Sequence, residues 1–526
     1  MLEYPAKPFG ARDARRYDVV VIGAGHNGLV AAAYLARAGR SVLVLERRDV
    51  VGGACVTEEP FPGFKVSTAA YSISLLQRRI VEELGLEALG LACYAKDPGM
   101  FLPLPDSRYL ILWRDMTAAQ REIAKFSERD AAAYPAFESF WERAGALLRP
   151  LLLKPPEPRE LTLAGLSKDD ARILEKVLDL SVADLLDEFF ESDIVKGAFA
   201  TQGVIGTLAG PHTPGTAYVM AHHYMGGLFD GTGVWGYVRG GMGAVTAALA
   251  RSAERAGTVI RVDAEVAAIK TRVGRAMGVE LADGGVIECD AVFSNADPKR
   301  TFLGLVDRSL LPQDFVQDVE NIRIDGSVIK INCALSELPD YLALPGVGPG
   351  PQHTGTVDIC PSLDYLDAAF RDAQAGEPSA RPFMEVYIQS TTDGSLAPPG
   401  MHSMSIFAQH APYQLASGNW EDRREEVADN VIDTLAEYAP NVKSAIVHRQ
   451  VLSPVDLERR FGLTGGNIFH GEILPGQLFS DRPLPGWSDY ATPLEGLYLC
   501  GSGAHPGGGV TGAPGYNAAV RYLAGG

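Results

Sequence analysis

The segment VVVIGAGHNGLVAAAYLARAG, Val19 to Gly39, decides the fold. It begins as an apolar strand, passes through a glycine turn and continues as an alanine-rich helix, Leu29 to Ala38, with Gly39 as its stop. A second apolar strand, SVLVLE, follows at once. Strand, helix and strand within about 30 residues form a βαβ unit, whose handedness dictates a parallel sheet. In the turn, Gly23 permits the tight bend, Gly25 lets a pyrophosphate reach bare backbone, and Gly28 lets helix and strand pack closely. The pyrophosphate would rest on unpaired N–H groups at the positive end of the helix dipole. Glu46 closes the second strand, where this arrangement needs a carboxylate for the ribose hydroxyls and where a 2′-phosphate would be repelled. His26 occupies a variable position of the turn, and its side chain is expected to face solvent or the adjoining domain, away from the chemistry.

NAD and FAD share this logic, and two further glycine clusters favour FAD. Gly52 and Gly53, in ERRDVVGGACVT, allow backbone to approach an extended diphosphate and ribityl chain. Gly501 to Gly512 form a glycine-rich turn before a closing helix expected to start near Gly508 and Gly509. That helix's dipole would favour negative charge on a reduced flavin.

Nucleotide-type elements thus lie at the start, middle and end of the chain. We expect an α/β fold, with a Rossmann-type FAD-binding domain (17–90, 239–300 and 491–526) interleaved with a mixed α+β substrate domain (91–238 and 301–490). Residues 91–238 are expected to be the helical part, and strand-like runs such as SVIKINCAL and FMEVYIQS mark the rest. Between Glu265 and Ser294 an alternating run with turns at Val273-Gly274 and Asp283-Gly284 predicts an antiparallel insertion returning to a core strand at Ala291.

The 526 residues carry 47 basic against 65 acidic side chains, a net charge of −18 that disfavours a nucleic-acid partner. Six scattered cysteines form no C-x-x-C and encode no redox disulfide, as in a reducing compartment. Residues 1–16 lack a secretory signal and are expected to be a short disordered leader, although their arginines leave organellar targeting open. No apolar run is long enough for a transmembrane helix, so a soluble cytoplasmic protein is expected. The run ALLRPLLL, Ala146 to Leu153, leaves peripheral membrane contact open.

The motifs GAGHNGLVAAAYL, ERRDVVGGACVTEEPFPGF, LAPPGMHSMSIFAQHAPY, DLERRFGLTGGNIFHGEI and CGSGAHPGGGVTGAPGYNAA together resemble the phytoene desaturase family of FAD flavoproteins. The resemblance spans residues 18 to 519 and implies FAD contacts at Gly23, Gly25, Gly28, Glu46, Gly52 and Gly53. It further implies an adenine contact at the Val266 backbone, and a flavin lined by Gly501, Gly503, Gly508, Gly509 and Val510. Ala54 stands where many relatives place an arginine after the glycine pair, which passes the diphosphate contact to Arg47 or Arg48. For a eukaryotic member the resemblance implies the mitochondrial matrix.

The implied activity is hydride transfer between a small apolar, isoprenoid- or lipid-like substrate and FAD, with an electron acceptor that no motif specifies. An amine oxidase, or a flavoprotein with a regulatory or partner-binding role, would share these motifs. No residue announces itself as catalytic. His223 (beside His222), His470 and His505 are the candidates for the substrate pocket, and no Cys/His cluster indicates a metal. Replacing Glu46→Arg should lower the flavin content of the purified protein, read from its visible absorbance; undiminished content would displace the ribose from this strand end.

Overall fold

The computed structural model describes residues 16–229 and 231–525, so the expected leader, 1–15, lies outside them. The opening segment forms the strand Arg16–Ile22, the helix His26–Arg37 and the strand Val42–Leu45. Arg16–Ile22 pairs in parallel with Val42–Leu45 on one side and Val286–Ser294 on the other. Val259–Arg261 and Leu497–Leu499 extend the parallel sheet at its two sides. The expected antiparallel insertion is present as Val266–Arg272 and Arg275–Leu281. The returning strand, Val286–Ser294, is one continuous element: its first half pairs with the insertion and its second half with Leu497–Leu499. Both predicted turns use left-handed residues, Val273 and Gly274 in one and Gly284 in the other.

The second sheet runs Ile446–Leu452, Val328–Leu335, His402–Gln409, Phe383–Tyr387, Thr356–Ile359, Met100–Pro103 and Tyr109–Leu112. All its pairings are antiparallel except that of Thr356–Ile359 with Met100–Pro103. Residues 91–238 therefore do not open as helix; they first contribute strands to this sheet and to a small ribbon. Short apolar runs such as MFLP and YLIL are too brief to distinguish strand from helix by period. Helices follow from Met116 onward, four of them started by side-chain caps at Asp115, Ser127, Ser167 and Ser181.

Alternation along the strands gives the second sheet two different faces. Ile329, Ile331, Met384, Val386, Met404 and Ile406 join one core cluster with Val427, Val431 and Leu435 of the helix Trp420–Ala436. The opposite face carries Lys330, Asp358, Glu385 and Phe407 and looks toward the helices and the first sheet.

Glycine makes the junction of strand and helix in the first sheet. A Cβ on Gly28 would lie 2.2 Å from the Gly23 carbonyl oxygen. Gly28→Ala should therefore force the helix off the sheet and cost about 1–3 kcal/mol, visible as a lowered melting temperature. An unchanged melting temperature would show that the helix can shift freely.

Candidate functional site

The turn and helix of the opening segment line a cavity of about 180 Å³, together with Glu46, Gly52, Gly53 and the 264–266 segment that contains Val266. No side chain caps the helix and no acidic residue stands in its first turn, so its N-terminal dipole faces this space uncompensated. Glu46 accepts hydrogen bonds from the Ala24 amide at 2.9 Å and the Arg48 amide at 3.0 Å. Burial pushes its carboxyl upward against those two bonds, and its remaining lone pairs are available to hydroxyl donors. Gly52 has φ +129°, and a Cβ there would sit 2.8 Å from the Cys55 carbonyl oxygen.

Three arginines surround the same cavity. Arg48 pairs with Glu58 at 2.6 Å and covers the Phe461 ring, which neutralises it locally. Arg47 gives one N–H to the Arg459 carbonyl. Burial lowers its pKa first, and the neighbouring charge of Arg300 lowers it further. Arg300 heads a π-helical turn, Arg300–Leu305, its nearest carboxylates 3.9 Å away and its Nε without a hydrogen bond. Bare helix amides, backbone without side chains and undercompensated guanidinium groups fit a dinucleotide diphosphate. Ala54 brings no charge to this cavity, whereas Arg47 and Arg300, the latter marked by no local motif, both line it.

The C-terminal loop is placed differently from expectation. The closing helix is Ala513–Leu523, so Gly508 and Gly509 precede it. Gly507, Gly509, Val510 and Gly512 all have positive φ, a succession that cannot propagate a right-handed helix. Gly509 and Val510 line a second, larger cavity of about 480 Å³. Gly501 and Gly503 line neither cavity. Their missing side chains admit Asn295 and Pro298, whose atoms would stand 2.5 and 2.3 Å from added Cβ atoms. Gly508 likewise makes room for Phe469.

The two cavities meet at His26, Ala54, Leu463, His470 and Ser502. His26 consequently looks into this junction and not into solvent, with Nε2 buried and unpartnered. His470, held at φ 58°, also has a buried, unpartnered nitrogen. His222 and His223 line the larger cavity. The Nδ1 of His223 lies 2.9 Å from the Gln202 carbonyl oxygen, so that nitrogen carries the proton. Burial is the largest cause in every case, taking His26 and His222 down to about 3 and His470 to about 4. All are neutral at physiological pH. His505 is elsewhere: its Nε2 donates to the Leu151 carbonyl at 3.0 Å, and it lines neither cavity. That bond and one from Asn517 to Leu152 dock the ALLRPLLL run on the C-terminal segment, burying Leu148 and Leu152.

Sequence reasoning missed the larger cavity's charged wall: Lys96, Lys330, Asp358 and Glu385, all buried. The signal was a lone charge inside each of three apolar strands, IKI, VDI and MEV.

A parallel sheet with a nucleotide turn, joined to a second sheet over a larger cavity, is the architecture of a protein that holds a nucleotide cofactor beside a substrate space. The chain belongs to the flavin-containing amine oxidoreductase family, whose model matches residues 28–521. It is 44% identical to the mouse pyridine nucleotide-disulfide oxidoreductase domain-containing protein 2, across 96% of this chain and 92% of that one. A lycopene-forming phytoene desaturase of Pseudescherichia vulneris is a more distant relative, 26% identical over 94% of this chain and 96% of its own length. The solved structure of an oxidoreductase from Methanosarcina mazei superposes with a TM-score of 0.60 at 18% identity, covering 96% of this chain and 99% of that one. All six cysteines are free, and no helix among the described residues is long and apolar enough to cross a membrane.

Arg300→Ala should weaken flavin binding to the deflavinated protein about tenfold or more, the scale of one charge-assisted hydrogen bond. Fluorescence titration measures this, and an unchanged affinity would remove Arg300 from the cofactor site.

Proposed function

We propose that the flavin is FAD, extended from the smaller cavity into the larger, and that the enzyme exchanges hydride with an apolar, isoprenoid- or lipid-like substrate. The observation that carries this reading is the junction of the two cavities at five shared residues, which lets one elongated cofactor reach from Glu46 to the substrate space. A bound flavin supplies hydride acceptance or donation at its N5. The chain's own residues do the rest. Gly23 and Gly25 with Arg47 and Arg300 would hold the diphosphate, Glu46 would hold the ribose, and Val266 would border the adenosine end. Leu75, Met100, Ile205, Phe407 and Phe469 exclude water from the reacting carbons, and the neutral histidines add no charge there. Descent from the same family as a phytoene desaturase supports an apolar substrate.

A second reading, amine oxidation, is favoured by the family whose model the chain matches. The aromatic and acidic wall of Tyr71, Tyr387 and Glu385 speaks against it, because Lys330 and Lys96 already lie 4.1 and 4.8 Å from those two rings. Anaerobic mixing of the purified protein with apolar isoprenoids and with alkylamines separates the two. Bleaching of the flavin absorbance by an isoprenoid and not by any amine is expected; bleaching by amines alone would reverse the assignment.

A further inference from the structure

The wall of the larger cavity carries charges that hydride transfer does not use. Strand pairing sets Asp358 opposite Glu385, Glu385 opposite Phe407, and Phe407 opposite Lys330, so these side chains form one row on the cavity face. Glu385 is satisfied, accepting from Tyr71 at 3.0 Å, Tyr387 at 2.8 Å and Gln202 at 3.2 Å. Lys330 donates to Ser405 and lies 4.1 Å from the Tyr71 ring centroid. It stands three strands from Asp358, about 14 Å at the usual strand spacing, and so belongs to the other end of the row.

Asp358 is wholly buried, lines the cavity, and neither carboxyl oxygen has a hydrogen-bond partner. Lys96, 6% exposed, gives one N–H to Thr356, two residues from Asp358 on the same strand face. Its ammonium rests over the Tyr387 and Tyr237 rings at 4.8 and 5.7 Å, and two of its donors remain unused. A buried carboxyl without a donor and a buried ammonium with donors to offer, side by side in one cavity, form a polar site that awaits a ligand group.

We propose that Lys96 and Asp358 form the recognition site for a carboxylate at one end of the substrate, whose apolar remainder runs along the cavity. Burial first, and then the neighbouring Glu385, push Asp358 well above the usual carboxylate range, which favours its O–H donating form. Burial lowers Lys96 only to about 8, and its ammonium persists at neutral pH. Lys96 thus brings a positive charge to this end of the cavity, which a carboxylate neutralises. An ammonium head would instead face Lys96 as a like charge. The inference rests on the apolar substrate body proposed above.

Isothermal titration calorimetry of the holoenzyme with decanoate, decanol, decylamine and butyrate tests it. Decanoate should bind more tightly than decanol or decylamine. Lys96→Met should weaken decanoate about tenfold or more and leave decanol unchanged, while Lys96→Arg restores most of the loss. Asp358→Asn, which keeps a donor, should hold decanoate within a few-fold. Equal affinities for decanoate and decanol on the unaltered enzyme would overturn the proposal. So would decanoate binding that ignores Lys96→Met, or decylamine binding more tightly than decanoate and lost in Asp358→Asn. Were only the apolar body mistaken, butyrate would match decanoate and both would depend on Lys96.

Discussion

The architecture depends on one close approach, that of Asn295 to four glycines. Asn295 follows the strand Val286–Ser294, and its amide donates to the Ile22 carbonyl at 3.0 Å. A Cβ on Gly25 would fall 2.8 Å from its Nδ2, one on Gly28 3.2 Å from the same atom, and one on Gly501 2.5 Å from its carbonyl oxygen. Gly23 is packed against it as well. Three stretches of chain, separated by hundreds of residues, can meet at the end of the parallel sheet only because these positions lack side chains. The dinucleotide-type turn is therefore as much a packing device as a ligand cradle.

Electrostatics divides the interior along its length. The smaller cavity gathers arginines against one buried glutamate, which suits a doubly charged diphosphate. At the junction, histidines kept neutral by burial interrupt the charge, and His470 there, like Val510 in the larger cavity, is held in a left-handed backbone conformation that non-glycine residues rarely adopt. Beyond them the larger cavity carries charge on both sides, with Glu138 and Glu142 from the helix Glu128–Leu148 and Lys330, Asp358 and Glu385 from the sheet. The sheet charges follow from strand alternation: the sheet's other face is covered by the helix Trp420–Ala436, so Lys330, Asp358 and Glu385 turn inward, while Arg449 on the edge strand pairs with Glu425 and Asp429 of that helix.

Local features of the site were legible in the sequence because the turn, Glu46 and the Gly52-Gly53 pair lie within one βαβ unit and its sequel. Glycine content alone misplaced the closing helix, since the sequence does not display the succession of positive φ angles that delays it to Ala513. Gly501 and Gly503, which the resemblance implies as flavin contacts, line neither cavity and make room for Asn295 and Pro298. Arg300 and Asn295 were invisible because their role arises from a fold that brings residues about 270 positions apart into one cavity. Lys330, Asp358 and Glu385 were each visible as a charge in an apolar strand, but their alignment depends on strand register, which no single strand specifies.

The five residues common to both cavities have a thermodynamic consequence. His26, Ala54, Leu463, His470 and Ser502 cannot adjust to an occupant of one chamber without changing the walls of the other. Affinity in the two chambers is thus coupled, and by reciprocity any ligand that tightens the flavin must itself be tightened by the same factor. A protein so built stores part of its selectivity in whether its cofactor is in place.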